Sequence, residues 1–219
     1  MNNITVIFKK NVNRLFIYVV ILLLPVGCAR YIKPQPEFSW PEMENSKIDG
    51  ALGIYISTED INRVIRAEPE IRCIDYKDIF IGQGILKAVE LSSQAVFFRT
   101  DYLGEKPSDT YIKSLNLRGL LHLKDVVASV NVLPYGSFSN KSDKEKRYKV
   151  SIILNLNFSA IDFLLSDIRD FNIDVRIESD KAIPSNGINN SLENLSKLIL
   201  EKAASQIARM LVNIYGARD

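Results

Sequence analysis

Residues 148–160, YKVSIILNLNFSA, decide the architecture. Tyr148, Val150, Ile152, Leu154, Leu156 and Phe158 alternate with Lys149, Ser151, Ile153, Asn155, Asn157 and Ser159. A period of two over this length is a β-strand with one face buried and the other wet. Residues 171–178, FNIDVRIE, repeat the pattern with Phe171, Ile173, Val175 and Ile177 inward. The short connection 161–170 between them predicts antiparallel neighbours. On the upstream side, residues 134–147, PYGSFSNKSDKEKR, are a polar hairpin tip, and alternation resumes before it from Leu115 to Leu133. There Leu117, Gly119, Leu121 and Leu123 share one face, while Val126, Ala128, Val130 and Val132 follow on the opposite parity. A one-residue switch of parity inside a strand predicts a β-bulge.

The remaining elements follow from the helical period. Residues 79–99 are expected as a long helix, with an apolar stripe (Ile81, Ile85, Ala88, Val89, Ser92, Ala95, Val96 and Phe98 or Arg99) at three-and-four spacing and Asp78 as its cap. Gly82 and Gly84 weaken its first turn and imply a close approach of another element. A second long helix is expected from about Ser191, capped by Asn190, to Tyr215, ended by Gly216, with Leu192, Leu195, Leu198, Ile199, Ala203, Ile207, Met210, Leu211 and Ile214 as its stripe. Residues 51–57, ALGIYIS, read as the first strand, and Ser57 with Asp60 has capping-box spacing for a short turn through Val64. Residues 100–114 read as loop. The expected fold is α+β: a two-layer sandwich in which two long helices cover one face of a four-stranded, mainly antiparallel sheet, in the order β-α-β-β-β-α.

Ahead of this domain, LFIYVVILLLPVGC (15–28) has the form of an export signal. Lys9, Lys10 and Arg14 precede ten residues without charge, and the small-residue pair Val26–Gly27 precedes a cysteine. The apolar run is well short of the roughly 20 residues that span a bilayer. Residues 29–50 hold Pro34, Pro36 and Pro41, which disfavour helix and predict an extended tether. Trp40 and Phe38 lie in that tether, expected either to pack back on the domain or to meet the lipid interface. The divisions are thus 1–27 signal, 28–50 tether and 51–219 domain.

Composition limits the function. Hydrophobic residues make up 47% and charged residues 25%, as in a globular domain. The net charge of +2 owes three positive charges to the signal, leaving the rest about −1, so bulk charge offers nucleic acid no attraction. There are two cysteines; with Cys28 acylated, Cys73 has no partner and is expected as a buried small apolar residue. The single histidine, His122, sits mid-strand. With no HExxH, CxxC or GxSxG pattern in the chain, no zinc site, serine or cysteine nucleophile, or other cofactor is expected. Asp162, Asp167, Asp170 and Asp174 surround the 161–170 connection and would be the groups of a carboxylate hydrolase if they converged. The charge run 141–147, KSDKEKR, reads as a solvated turn with lipid-headgroup contact as the alternative. Phe163, Leu164 and Leu165 are three adjacent apolar residues that one extended face cannot bury; they are expected to form a short helix closing the end of the sandwich, or an exposed partner contact.

Val26–Gly27–Cys28 resembles the lipobox of bacterial lipoproteins, in which the cysteine thiol takes a diacylglyceryl group before cleavage; the position that usually holds Leu is Pro25. Together with the β-α-β-β-β-α order and the amphipathic C-terminal helix, it resembles outer-membrane lipoproteins of the lipopolysaccharide-assembly and ABC-transporter auxiliary type. The resemblance covers about residues 50–216 and rests on element order. It implies a fatty-acylated, non-enzymatic envelope protein, anchored at Cys28, that acts as an adaptor or accessory subunit with an envelope protein partner. Ala29, where an inner-membrane retention signal would have Asp, implies the outer membrane facing the periplasm. A ligand-binding lipoprotein with a pocket between helices and sheet is the alternative, and a surface hydrolase using the carboxylates a further one.

Overall fold

The computed structural model describes residues 31–38, 47–69, 77–104, 106–136 and 146–216. The expectations on the signal, Cys28, Trp40, Cys73 and residues 141–145 lie outside these residues. The described residues belong to the unit Tyr31–Asp219. In chain order its main elements are β1 (Ile48–Tyr55), α1 (Thr58–Ile61), α2 (Ile81–Val96), β2 (Phe97–Tyr102), α3 (Asp109–Ser114), β3 (Gly119–Pro134), β4 (Arg147–Asp162), β5 (Asp167–Glu178) and α4 (Ile188–Tyr215).

The class is α+β, as the alternating strands and two amphipathic helices require, but the expected four-stranded layout is corrected. The long strands are five, in the spatial order β2-β1-β3-β4-β5. Two-residue strands add to β3 (Glu68–Pro69) and β4 (Ile183–Pro184). β1 pairs in parallel with both β2 and β3, and β3-β4-β5 is antiparallel. The extra strand is β2. It follows α2 with no residue between, so no Gly or Pro marks the boundary, and Phe97 keeps the helical spacing while turning to extended backbone (φ −111°, ψ 152°). Phe97 is buried and Phe98 exposed, and the Arg99–Asp101 ion pair at 3.1 Å charges this sheet edge against further pairing.

The bulge expected from the parity switch is present. The β3–β4 register shifts between Leu123↔Phe158 and Asp125↔Asn157, leaving Lys124 as the extra residue. Leu121 and Leu123 before it and Val126, Val130 and Val132 after it therefore all face the core. That core lies between the sheet and the paired helices α2 and α4. A smaller cluster on the opposite sheet face joins Ala51, Leu103, Leu117 and Leu120 near α3.

The helix ends differ from expectation in instructive ways. Ser57 caps α1: its Oγ accepts from the Asp60 N–H at 3.1 Å and donates to the Asp60 carboxylate at 2.7 Å, although the helix stops at Ile61. Asp78 does not cap α2; its carboxylate is held by Arg66 at 2.6 and 2.7 Å. α4 starts at Ile188, so Asn190 lies inside it. Leu198 is 42% exposed and does not belong to the core stripe. At 100° per residue, Leu192, Ile199, Ala203, Ile207 and Leu211 fall in one sector and Leu198 projects from the other side.

Gly82 and Gly84 are explained by close approach. A Cβ on Gly82 would overlap the backbone carbonyls of Asp60 and Ile61, and one on Gly84 would overlap Leu200 of α4 and come within 3.2 Å of Pro34. Pro34 belongs to residues 31–38, which lie on the domain. Tyr31–Ile32 pairs with Asp78–Ile79, Ile32, Pro34 and Pro36 are buried, Phe38 packs against the core, and Glu37 pairs with Lys197 of α4 at 2.8 Å.

Candidate functional site

The site is the end of the sheet where β4 turns into β5. Gly119 starts β3 opposite Asp162, the last residue of β4. The chain then reverses over residues 163–166, with Ser166 in the left-handed region at φ 52°. The 161–170 connection is thus a tight hairpin flanked by longer strands than the sequence suggested. Phe163, Leu164 and Leu165 form no helix here; they lie in the turn at 38%, 68% and 44% exposure, and Ile168 beside them at 65%. Three consecutive apolar side chains and a fourth three residues on, all exposed at one hairpin tip, differ from singly scattered surface apolar residues.

A buried polar frame holds the tip. Asp162 is 2% exposed. Its Oδ1 accepts from the Leu164 N–H at 2.9 Å and the Leu165 N–H at 3.3 Å, an Asx turn that fixes the two backbone amides. The Phe163 N–H donates to the Arg118 carbonyl at 3.0 Å. Arg118 Nε approaches Asp162 Oδ1 to 3.9 Å, an ion pair too long for a hydrogen bond. The shielded Arg118 Nε and Asp162 Oδ2 make no hydrogen bond. From behind, Tyr215 at the end of α4 donates its hydroxyl to the Ile161 carbonyl at 2.9 Å and packs edge-on against Phe97. Gly119 makes room for it, since a Cβ there would lie 2.6 Å from the Tyr215 ring. Burial, and then the charge of Asp162, push the Tyr215 hydroxyl well above the usual phenol range, so it stays a donor.

Beside the tip is a cleft of about 490 Å³ lined by Ile112, Lys113, Asn116, Leu117, Ile161 and Phe163. Its outer wall is α3, whose Ser108 cap accepts from the Tyr111 N–H at 3.2 Å. The sequence reading passed over α3. The usable signal was Ser108 three residues ahead of Tyr111, followed by Ile112 and Leu115 at helical spacing. Apolar walls with Lys113 and Asn116 at the edge can receive an apolar side chain or an amphiphile. The cleft lies beside α3 and not between the long helices and the sheet, where the ligand-binding alternative put its pocket.

The four carboxylates are engaged separately. Asp162 holds the turn, Asp167 pairs with Arg169 at 2.8 Å, Asp170 with Lys124 at 2.8 Å, and Asp174 accepts from Asn172 at 2.7 Å. Among the described residues no group of three or more His, Cys, Asp or Glu could hold a metal ion, and no helix is long and apolar enough to cross a membrane. His122 is half-buried, its ring 4.9 Å from that of Tyr55 and tilted 40° to it. Burial and the nearby Lys124 and Lys106 lower its pKa.

No protein-family model matches the chain, and no curated protein matches it in sequence. Among solved structures it is similar to a homolog of the neuraminyllactose-binding hemagglutinin from Helicobacter pylori, at TM-score 0.41 and 10% identity over 83% of this chain and 94% of that one. It is similar to rare lipoprotein B from Shewanella oneidensis at TM-score 0.38 and 11% identity, over 75% and 98%. The PelC dodecamer from Paraburkholderia phytofirmans gives TM-score 0.28 and 12% identity over 73% and 90%. At TM-scores below 0.5 none of these carries a function to this chain.

Proposed function

We propose that this chain is a lipid-anchored, non-catalytic envelope lipoprotein that serves as adaptor or accessory subunit of an envelope transport or assembly system, facing the periplasm from the outer membrane. The observation that carries the adaptor reading is the exposed apolar tip, Phe163, Leu164, Leu165 and Ile168, held in one conformation by buried Asp162 and flanked by an apolar cleft. A surface meant only for water would gain nothing from four exposed apolar side chains at one hairpin tip. A preorganised one binds a partner with little further ordering cost.

The anchor reading rests on Val26–Gly27–Cys28. The chain meets the domain at Ile32, whose carbonyl accepts from the Phe80 N–H just ahead of α2. The tip is at the other end of the helices, beside Phe97 and Tyr215. Sixteen residues of α2 separate the two ends by about 24 Å. The tip and the point where the chain enters the described domain therefore lie at opposite ends of α2.

Two measurements test this. Metabolic labelling with a fatty-acid analogue should mark the wild type and not Cys28→Ser, because a hydroxyl does not replace the thiol nucleophile; equal label refutes the anchor. A photoreactive residue in place of Leu164 should give a discrete protein adduct in cells, lost with Phe163→Ser and Ile168→Ser together. The same probe at Val127, exposed on the open sheet face, should give none. Adducts to lipid alone, or equally at both positions, refute the adaptor tip.

A further inference from the structure

The two edges of the sheet are built differently. β2 is six residues long and carries the Arg99–Asp101 pair. β5 is twelve residues long and pairs with β4 without a break in register. It contains no Pro or Gly, and from Phe171 to Ile177 its core face carries no charge. Short length, proline, bulges and inward-pointing charges are the devices that keep a sheet edge from pairing with another chain. Over that stretch β5 has none of them.

The register fixes which backbone groups of β5 are open. The Ser179 N–H donates to the Val150 carbonyl at 2.8 Å, so the odd-numbered residues of β5 direct their N–H and C=O toward β4. The even-numbered residues, Ile168, Asp170, Asn172, Asp174, Arg176 and Glu178, direct theirs away from the sheet. Among the described residues no strand and no backbone hydrogen bond reaches that outer side. The side chains of the same six are exposed on the open face. Arg176 enters no ion pair or side-chain hydrogen bond among the described residues. The Asp170 side chain, although bonded to Lys124, stays 65% exposed.

We infer that β5 pairs antiparallel with β5 of a second copy of this chain, about a two-fold axis at Ile173, joining two sheets into one. A two-fold interface needs a strand that is complementary to itself. Axes at Asn172, Asp174 or Arg176 set like charges opposite each other: Asp170 against Asp174, Asp174 against itself, Arg176 against itself. An axis at Phe171 gives Arg176 no acid, and one at Val175 leaves Ile168 and Asp170 beyond the paired strands. The axis at Ile173 sets Asp170 opposite Arg176 and Asn172 opposite Asp174, each twice. It also places all six outward-directed residues in hydrogen-bonded pairs. On the core face it sets half-buried Phe171 against the partner subunit's Val175, an aromatic to β-branched pair. Phe163, Leu164 and Leu165 lie outside the paired strands, so the dimer and the adaptor tip stand or fall separately.

Sedimentation equilibrium of the full chain in density-matched detergent, loaded up to about 100 μM, reads the pairing as mass. The wild type should approach twice the chain mass. Asn172→Pro removes an outward N–H and sets a ring against the incoming strand while leaving the bonds to β4 intact. It should sediment as a monomer with the circular dichroism of the wild type. Arg176→Asp alone and Asp170→Arg alone should each weaken the dimer about tenfold or more, by setting like charges opposite each other twice. The two variants mixed should regain the wild-type affinity, because each supplies the charge that the other lacks. Arg99→Asp, on the β2 edge, should leave the mass unchanged. A monomer at the highest loading overturns the pairing. So does a dimer that survives Asn172→Pro or Asp170→Arg, or a mixture no tighter than its components; should Asn172→Pro fail to fold, the charge variants decide.

Discussion

Two adjacent residues of α4 give the sharpest test of which helix face is the core. Ile199 is 0% exposed and Leu198 42%. Truncating Ile199 to Ala removes a side chain packed on all sides, and both the lost burial and the remaining cavity destabilise, by about 2–5 kcal/mol in total. Leu198 keeps roughly half its surface in water, so Leu198→Ala forfeits about half of the 1.5–3 kcal/mol that full burial provides, about 1 kcal/mol. Ala is the better helix former, which reduces this slightly. Urea denaturation of the chain from Tyr31 onward, followed by circular dichroism, reads both. With a slope of about 2 kcal/mol per molar, Ile199→Ala should lower the midpoint by about 1–2.5 M and Leu198→Ala by about 0.5 M or less. The slope should be the same for both variants. Equal shifts, or a larger one for Leu198→Ala, would mean that the helix is rotated about its axis, and the assignment of the α2–α4 layer would fail with it.

Other expectations follow from single contacts. Gly82→Ala sets a methyl group against the Asp60 and Ile61 carbonyls, which are backbone and cannot swing away. It should cost at least about 2 kcal/mol, or about 4–8 °C in thermal midpoint; an unchanged midpoint contradicts the close approach. Asp162→Ala deletes the acceptor for two turn amides, so exchange of the Leu164 and Leu165 N–H groups should accelerate and stability fall by about 2 kcal/mol. Asp162→Asn keeps that acceptor and should retain most of both, since Arg118 is not hydrogen-bonded to the carboxylate; equal damage from the two variants would show that charge matters more than the turn. His122 has its folded pKa below the ordinary 6.5, so the unfolded chain takes the proton first as pH falls. Its share of stability is complete above that value and is lost as pH drops from about 6.5 toward the lower folded pKa. His122→Gln should therefore narrow the difference between urea midpoints at pH 7.5 and 5.5, and an unchanged difference rejects the burial of its neutral form.

The alternation in 148–160 and 171–178 and the parity switch at Lys124 were legible because a strand's side-chain period is local: each residue's face depends only on its neighbour's. The stripes of α2 and α4 were legible for the same reason at a period of 3.6, as was the Ser57–Asp60 cap at its spacing of three. The three apolar residues at 163–165 stood out because no single extended face could bury them. What decided their fate was remote: Arg118, Gly119 and Tyr215 meet Asp162 and Ile161 only after the sheet and α4 have assembled, and together they hold a turn where a helix was equally compatible with the local sequence. β2 was invisible for a related reason. Its edge pairing with β1 stabilises an extended segment whose apolar residues also fit the preceding helix, and only the parallel partner settles the choice. Leu198 shows the limit on the helical side: an apolar residue at permitted spacing joins the core only if the neighbouring element covers that sector, and α2 and the sheet cover another.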